Sequence, residues 1–245
     1  MSVCLLGCAG QQKATKSSVV DYLYPKDSGK TVTPSIPQLT LPIKLGVAFV
    51  PEQQNRENGS KFWTSRANLD TALTEAKKML IVQKITTHFR QYVFVGDIKE
   101  IPSAYLTPGG SFTNLEQVKT MYDIDVIALI SHDQVQFTDE GFLSMSYWTL
   151  VGAYLISGEK NDTNTLMDTV VYDISSKKML FRAPGTSTVK GKSTPINLGE
   201  ELRADSAKGF DIATDDMIKN LDIQLALFRE KAKQNPGLIK ISSGN

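Results

Sequence analysis

Seven residues constrain this fold more than any others. Ile124–Ile130 reads IDVIALI, a nearly continuous apolar run of strand length. A strand without a polar side avoids water, so this one is central in its sheet. Periodicity supplies its surroundings. Ile43, Leu45, Val47 and Phe49 alternate within IKLGVAFV, a strand of period two ended by Pro51. Leu69, Ala72, Leu73, Ala76 and Leu80 recur at three and four residues, and Ile85 and Phe89 carry the stripe on toward Tyr92. That spacing predicts a long helix, which Thr64 or Ser65 can cap. Val93-Phe94-Val95 reads as a short strand, Asp97–Leu106 as an extended linker and Pro108-Gly109-Gly110 as a turn. Thr113 with Glu116 is a capping-box pattern for a short helix through Leu115, Val118 and Tyr122.

Downstream of the central run, strands predominate. Val135–Phe137 and Leu143–Ile156 lie either side of a turn at Thr138–Gly141, and Asn161–Asn164 is another turn. Leu166–Ile174 and Met179–Ala183 form a hairpin around Ser175-Ser176-Lys177. A loop with Pro184, Gly185, Gly191 and Pro195 leads to a last long helix. That helix carries Met217, Leu221, Leu225 and Phe228 on one face, and Asn235-Pro236-Gly237 stops it. The order β–α–β–α–β–β–β–β–β–α predicts an α+β or mixed α/β fold. Its core is a single mixed β-sheet of about five to seven strands with two long helices packed on one face.

Composition narrows the partners. Over 245 residues, 27 Lys+Arg face 26 Asp+Glu, a net charge of +1. That balance argues against nucleic acid as a partner. A hydrophobic content of 41% and a charged content of 22% exclude wholesale disorder. Two Cys exclude a disulfide-stapled scaffold.

The chain opens Met1-Ser2-Val3-Cys4-Leu5-Leu6-Gly7-Cys8, an apolar run whose Leu-Leu-Gly-Cys ending resembles a bacterial lipobox. The resemblance implies cleavage before Cys8 and acylation of its thiol, with residues 1–7 as a partial signal peptide that lacks a basic n-region. Ala9, rather than Asp, after that Cys favours the outer membrane, by analogy with Gram-negative sorting. Ala9–Pro42 is rich in Gln, Lys, Ser, Thr, Pro and Gly, with prolines at 25, 34, 37 and 42. Residues 8–42 therefore read as a lipidated Cys and a flexible tether with an r.m.s. span of roughly 30–35 Å. Within it, the island Val19–Pro25 is expected to dock back on the domain. Residues 43–241 are expected to form a single globular domain.

A wider resemblance rests on Ser131-His132-Asp133-Gln134-Val135-Gln136, Tyr147-Trp148-Thr149, Gly152-Ala153-Tyr154, Asn161-Asp162-Thr163, Tyr172-Asp173-Ile174 and Leu180-Phe181-Arg182-Ala183-Pro184-Gly185. With Ser18–Pro25, these blocks resemble the rhombotarget lipoprotein family, bacterial lipoproteins named for co-occurrence with the rhombosortase system. The resemblance covers nearly the whole mature chain and implies a cell-envelope location, with no catalytic residue to carry over. The architecture is more loosely similar to periplasmic lipoproteins with TolB N-terminal and CsgG-type domains, which work by binding other proteins.

Few residues suggest chemistry. Of the two histidines, His88 lies near the C-terminal end of its helix, where a charged imidazole suits the helix dipole. His132 and Asp133 follow the central strand, a common site position, and are candidates for a ligand or interaction site. With Ser131 they cannot form a catalytic triad, because neighbours on a strand point to opposite faces. Tyr147 and Trp148 are the other interaction candidates. Two histidines and scattered Asp123, Asp125, Asp162 and Asp168 offer no zinc or calcium pattern, and Asp215-Asp216 reads as a solvated helical pair. No cofactor is implied. The reading that results is a non-enzymatic, lipid-anchored protein of the cell envelope that binds a protein partner. The alternatives are an envelope hydrolase using Ser131 or His132, and an oligomeric secretion-pore component.

Overall fold

Among the described residues six strands form one sheet and two more form a small separate one. The computed structural model describes residues 12–25, 33–52, 73–137, 162–191, 198–235 and 237–243. The large sheet combines β3 (Ile43–Phe49), β4 (Val95–Ile101), β5 (Val126–Phe137), β6 (Asp162–Asp173) and β7 (Lys178–Lys190) in the order β4-β3-β5-β6-β7. β3 runs parallel to β4 and β5, whereas β5, β6 and β7 are antiparallel. The fold is thus mixed α/β, and IDVIALI enters the central strand as expected.

β5 is longer than its apolar run, because it continues through Ser131 to Phe137. Two different strands share that one edge of it. β3 pairs with Val126–Ile130, and β1 (Gln12–Lys16) pairs antiparallel with Asp133–Phe137. Sheet alternation then sorts the core into two. One side carries Val47, Phe49, Val126, Ala128, Ile130, Met167 and Val171. It lies under α2 (Glu75–Phe89) and α4 (Leu198–Gln234). The other carries Ala48, Val50, Ile127, Leu129, Val170 and Tyr172 under α1 (Val19–Leu23) and α3 (Ser111–Tyr122). The two long helices share one face as expected, but the opposite face is covered as well.

Several local expectations need correction. The segment read as a tether supplies β1, α1 and β2 (Gln38–Leu41), the last paired in parallel with β8 (Lys240–Ser243). Its island does dock: Val19, Tyr22 and Leu23 are buried, and the Tyr22 hydroxyl donates to Asn114 Oδ1 at 2.8 Å. The supposed linker after Asp97 is the body of β4, closed by Pro102 and one turn of 3-10 helix at Ser103–Tyr105. Thr113 lies inside α3, whose N-cap is Gly110. α2 is capped by Thr74, whose hydroxyl accepts from the Lys77 amide at 3.3 Å. Thr64, Ser65 and Leu69 lie outside the described residues.

Pro184 and Gly185, read as loop, are interior to β7. β7 is an edge strand, where a missing amide donor is tolerated. The Pro184 carbonyl still accepts from Asn220 Nδ2 at 2.7 Å. Gly185 is needed for closeness. A Cβ there would strike the Ala213 carbonyl and the Met217 amide of α4. The helix therefore lies directly on the sheet at this point.

Candidate functional site

The strand bearing the sequence candidates is divided midway. From Ser131 onward its residues are polar yet buried: Ser131, His132, Asp133, Gln134 and Gln136 are all under 5% exposed. His132 points toward α4, edge-on to Phe49 and Phe210. Ser17, just beyond β1, clasps it: the Ser17 amide donates to the His132 carbonyl at 2.8 Å. The Ser17 hydroxyl accepts from the His132 amide at 3.1 Å and lies 3.2 Å from Nδ1. Burial, followed by the charge of nearby Lys78, pushes the imidazole pKa down to about 3. Nε2 has no hydrogen-bond partner among the described residues, and Glu52 Oε1 is 3.9 Å away. That carboxylate is held instead by Lys78 at 3.0 Å.

A neutral, fully enclosed imidazole is a poor general base. Ser131 lies on the other face of the strand, also fully buried. Asp133 shares that face, and burial raises its carboxyl pKa to about 6 despite Lys16 opposite it. The three neighbours do not converge, and neither Ser131 nor His132 is accessible to a substrate. Past them, the strand is bonded to α4. Gln134 Nε2 donates to Thr165 Oγ1 at 2.7 Å and to the Ser206 carbonyl at 3.1 Å. The Ser206 hydroxyl donates back to Gln134 Oε1 at 2.6 Å, and Gln136 Nε2 reaches the Leu202 carbonyl at 2.7 Å.

The other half of β5 is different. Between its Val126–Ala128 end, α2, α4 and the small β2–β8 sheet lies a cavity of about 200 Å³. Val47, Val126, Ala128 and Val171 floor it, while Phe89, Leu221 and Leu225 wall it from the helices. Leu39, Leu41 and Ile241 close it from the small sheet. Among the described residues the polar lining is Thr86, Thr169 and Arg229. Thr86 donates to Glu100 and Thr169 to Met217 Sδ, so both hydroxyls are engaged. Arg229 is exposed and lies with Cζ 5.2 Å from the Phe94 ring centre, at the rim. A cavity with aliphatic and aromatic walls stays dry and accepts apolar guests.

The structure thus places His132 and Asp133 in the packed interior and not in the cavity. Cys8, Tyr147, Trp148 and Tyr154 lie outside the described residues. His88 is in the last turn of α2 as read, bonded to Asp222 at 3.0 Å. Asp215 pairs with Lys84 at 2.7 Å, and Asp216 accepts from the Thr186 amide at 2.9 Å. Among the described residues no group of acidic, His or Cys side chains is placed to hold a metal ion. No described helix is long and apolar enough to cross a membrane. The cavity itself was missed. One signal for it was present: apolar residues at 39 and 41 extend the alternation of 43, 45, 47 and 49 across Pro42.

No family model matches the chain, and no curated protein does. Among solved structures, one similar chain is a Xanthomonas campestris protein described by the family model DUF330. It is 9% identical at a TM-score of 0.35, covering 83% of this chain and 95% of that one. Two structures of the PelC dodecamer from Paraburkholderia phytofirmans are 11% identical at TM-scores of 0.30 and 0.31, covering 81% of this chain and 94% of those. Scores at this level do not establish a shared fold.

Proposed function

We propose that this chain is a non-enzymatic binding protein of the bacterial cell envelope, lipid-anchored at Cys8, and that its binding site is the cavity between β5, α2 and α4. The carrying observation is the cavity's lining. Among the described residues its walls are apolar but for two engaged threonines, with Arg229 as the single charged group. Binding sites are concave and mostly apolar with few placed polar groups, whereas acid–base chemistry needs paired titratable groups that converge. The location rests on the lipobox-like Leu5-Leu6-Gly7-Cys8 and on the resemblance to rhombotarget lipoproteins. A protein partner in the envelope remains part of the reading, since the family resemblance implies no activity.

The test is metabolic labelling with palmitate in a bacterial host, followed by membrane fractionation and crosslinking pull-down. Wild type takes up label, sediments with membranes and brings down a specific partner; Cys8→Ser loses the label and the sedimentation. Equal label in both proteins, or a wild type that stays soluble, removes the lipid anchor from the reading. An empty pull-down removes the protein partner.

A further inference from the structure

We infer that the cavity takes the alkyl chain of a single-chain anionic lipid, a fatty-acid-like molecule, with its head group held by Arg229. The inference rests on the cavity being the binding site and adds the ligand's class. Size decides the tail. A dry apolar cavity of about 150 Å³ accepts benzene, so one of about 200 Å³ holds an alkyl segment of roughly eight carbons. Two acyl chains would not fit. The floor is plain hydrocarbon at Val47 and Ala128, and both lining hydroxyls already have partners, so the buried part of the ligand needs no polar group.

Charge decides the head. Among the described residues Arg229 is the one charged residue on the lining, and it makes no ion pair there within 4 Å. Its acidic neighbour Glu230 is bonded to Lys233 at 2.7 Å and feels Arg229 only as a lesser, through-space charge. The guanidinium lies over Phe94 at the rim, and the residue is exposed. A planar fork of that kind matches a carboxylate in bidentate fashion. A chain threaded past Phe94 and Phe228 would present its carboxylate there.

Decanoate and decan-1-ol share a tail and differ in head, which separates the two halves of the inference. Calorimetric titration of the full chain carrying Cys8→Ser, prepared without detergent, uses both. Decanoate is expected to bind one to one and more tightly than decanol. Arg229→Glu should weaken decanoate about tenfold and leave decanol within about twofold. Ala128→Leu, which fills the floor, should weaken both; circular dichroism checks that it folds. Decanol binding with no preference for decanoate, or decanoate binding indifferent to Arg229→Glu, overturns the ligand class and leaves an apolar binding site standing. If neither compound binds, both the class and the cavity as binding site fall.

Discussion

The two halves of β5 lie under the same helix and solve burial in opposite ways. Val126–Ile130 is hydrocarbon, bonded to its neighbours only through backbone, and beside it there is space. Ser131–Gln136 is polar but for Val135, its His132, Gln134 and Gln136 side chains are bonded to Ser17, β6 and α4, and Gly209 allows no room: a Cβ there would come within 2.5 Å of Thr165 Oγ1. Hydrogen bonds are directional, so a buried polar layer has one arrangement and leaves no slack. Apolar contacts are not directional, and an apolar layer keeps its fold while leaving a void. Binding capacity therefore belongs to the plain half, and positional rigidity to the half that looked like a site.

The largest effect is expected where the halves meet. Gly185→Val would force α4 off β7, costing about 4 kcal/mol or more, read by denaturant unfolding. A loss below about 1 kcal/mol would show that the helix is not tightly seated and that the halves are not one unit. Next, Gln134→Ala strands Thr165 and the Ser206 carbonyl and opens a hole, costing about 3 kcal/mol. If its cost is negligible, the polar layer is not what fixes the far half.

The polar half should also carry the pH dependence. Asp133 has its pKa raised to about 6 in the folded chain, so the folded state holds that proton where the unfolded chain has released it. Its stabilising effect is complete below the ordinary carboxyl range and is lost as pH rises through about 6. His132, depressed to about 3, acts the other way: stability is lost as pH falls below the ordinary imidazole value toward about 3. Between pH of roughly 4 and 6 the two slopes oppose and the wild type should be nearly flat. Asp133→Asn should gain about 2 kcal/mol at pH 8, gain nothing near pH 4, and slope upward between them. A variant that parallels the wild type across that window would rule out Asp133 as a titrating group there.

The smallest pair is the sharpest. Val47→Ile adds a methyl group to the cavity floor and should stabilise by about 1 kcal/mol, whereas Thr165→Val removes a hydroxyl from the polar layer and should cost about 1 kcal/mol. Melting temperatures of the two would move in opposite directions; the same sign for both would erase the distinction between the halves.

What the sequence made legible follows the same division. IDVIALI, the hairpin around Ser175–Lys177 and the stripe of α4 were readable because apolar periodicity and turn residues report on local geometry. Ser131–Gln136 was not, since its burial is carried by partners at Ser17, Thr165 and Ser206, remote in sequence. β1 and β2 were hidden by composition, whereas the apolar island that becomes α1 stood out: Gln, Lys, Ser and Thr read as solvent-exposed, yet an added edge strand needs only backbone. Asp97–Ile101 looked like a linker because a short edge strand can expose charge. The cavity was barely legible, beyond the alternation through Leu39 and Leu41, for a third reason. Its walls come from segments spread between Leu39 and Ile241, so a local pattern can mark one wall but not the gap left between them.

Docking of β1 changes what a lipid on Cys8 would mean. From Cys8 to the first residue of β1 there are four Cα steps, at most about 14 Å of reach. Gln12 is registered against Phe137, at the far end of β5 from the cavity. Ala128 lies nine residues back along that strand, about 30 Å. An anchored molecule would stand on its polar half like a mast on a short step, with the mouth of the cavity held aloft. Ligand would then arrive from the aqueous side, handed over by a carrier or a facing membrane, and not be drawn from the leaflet that holds the protein.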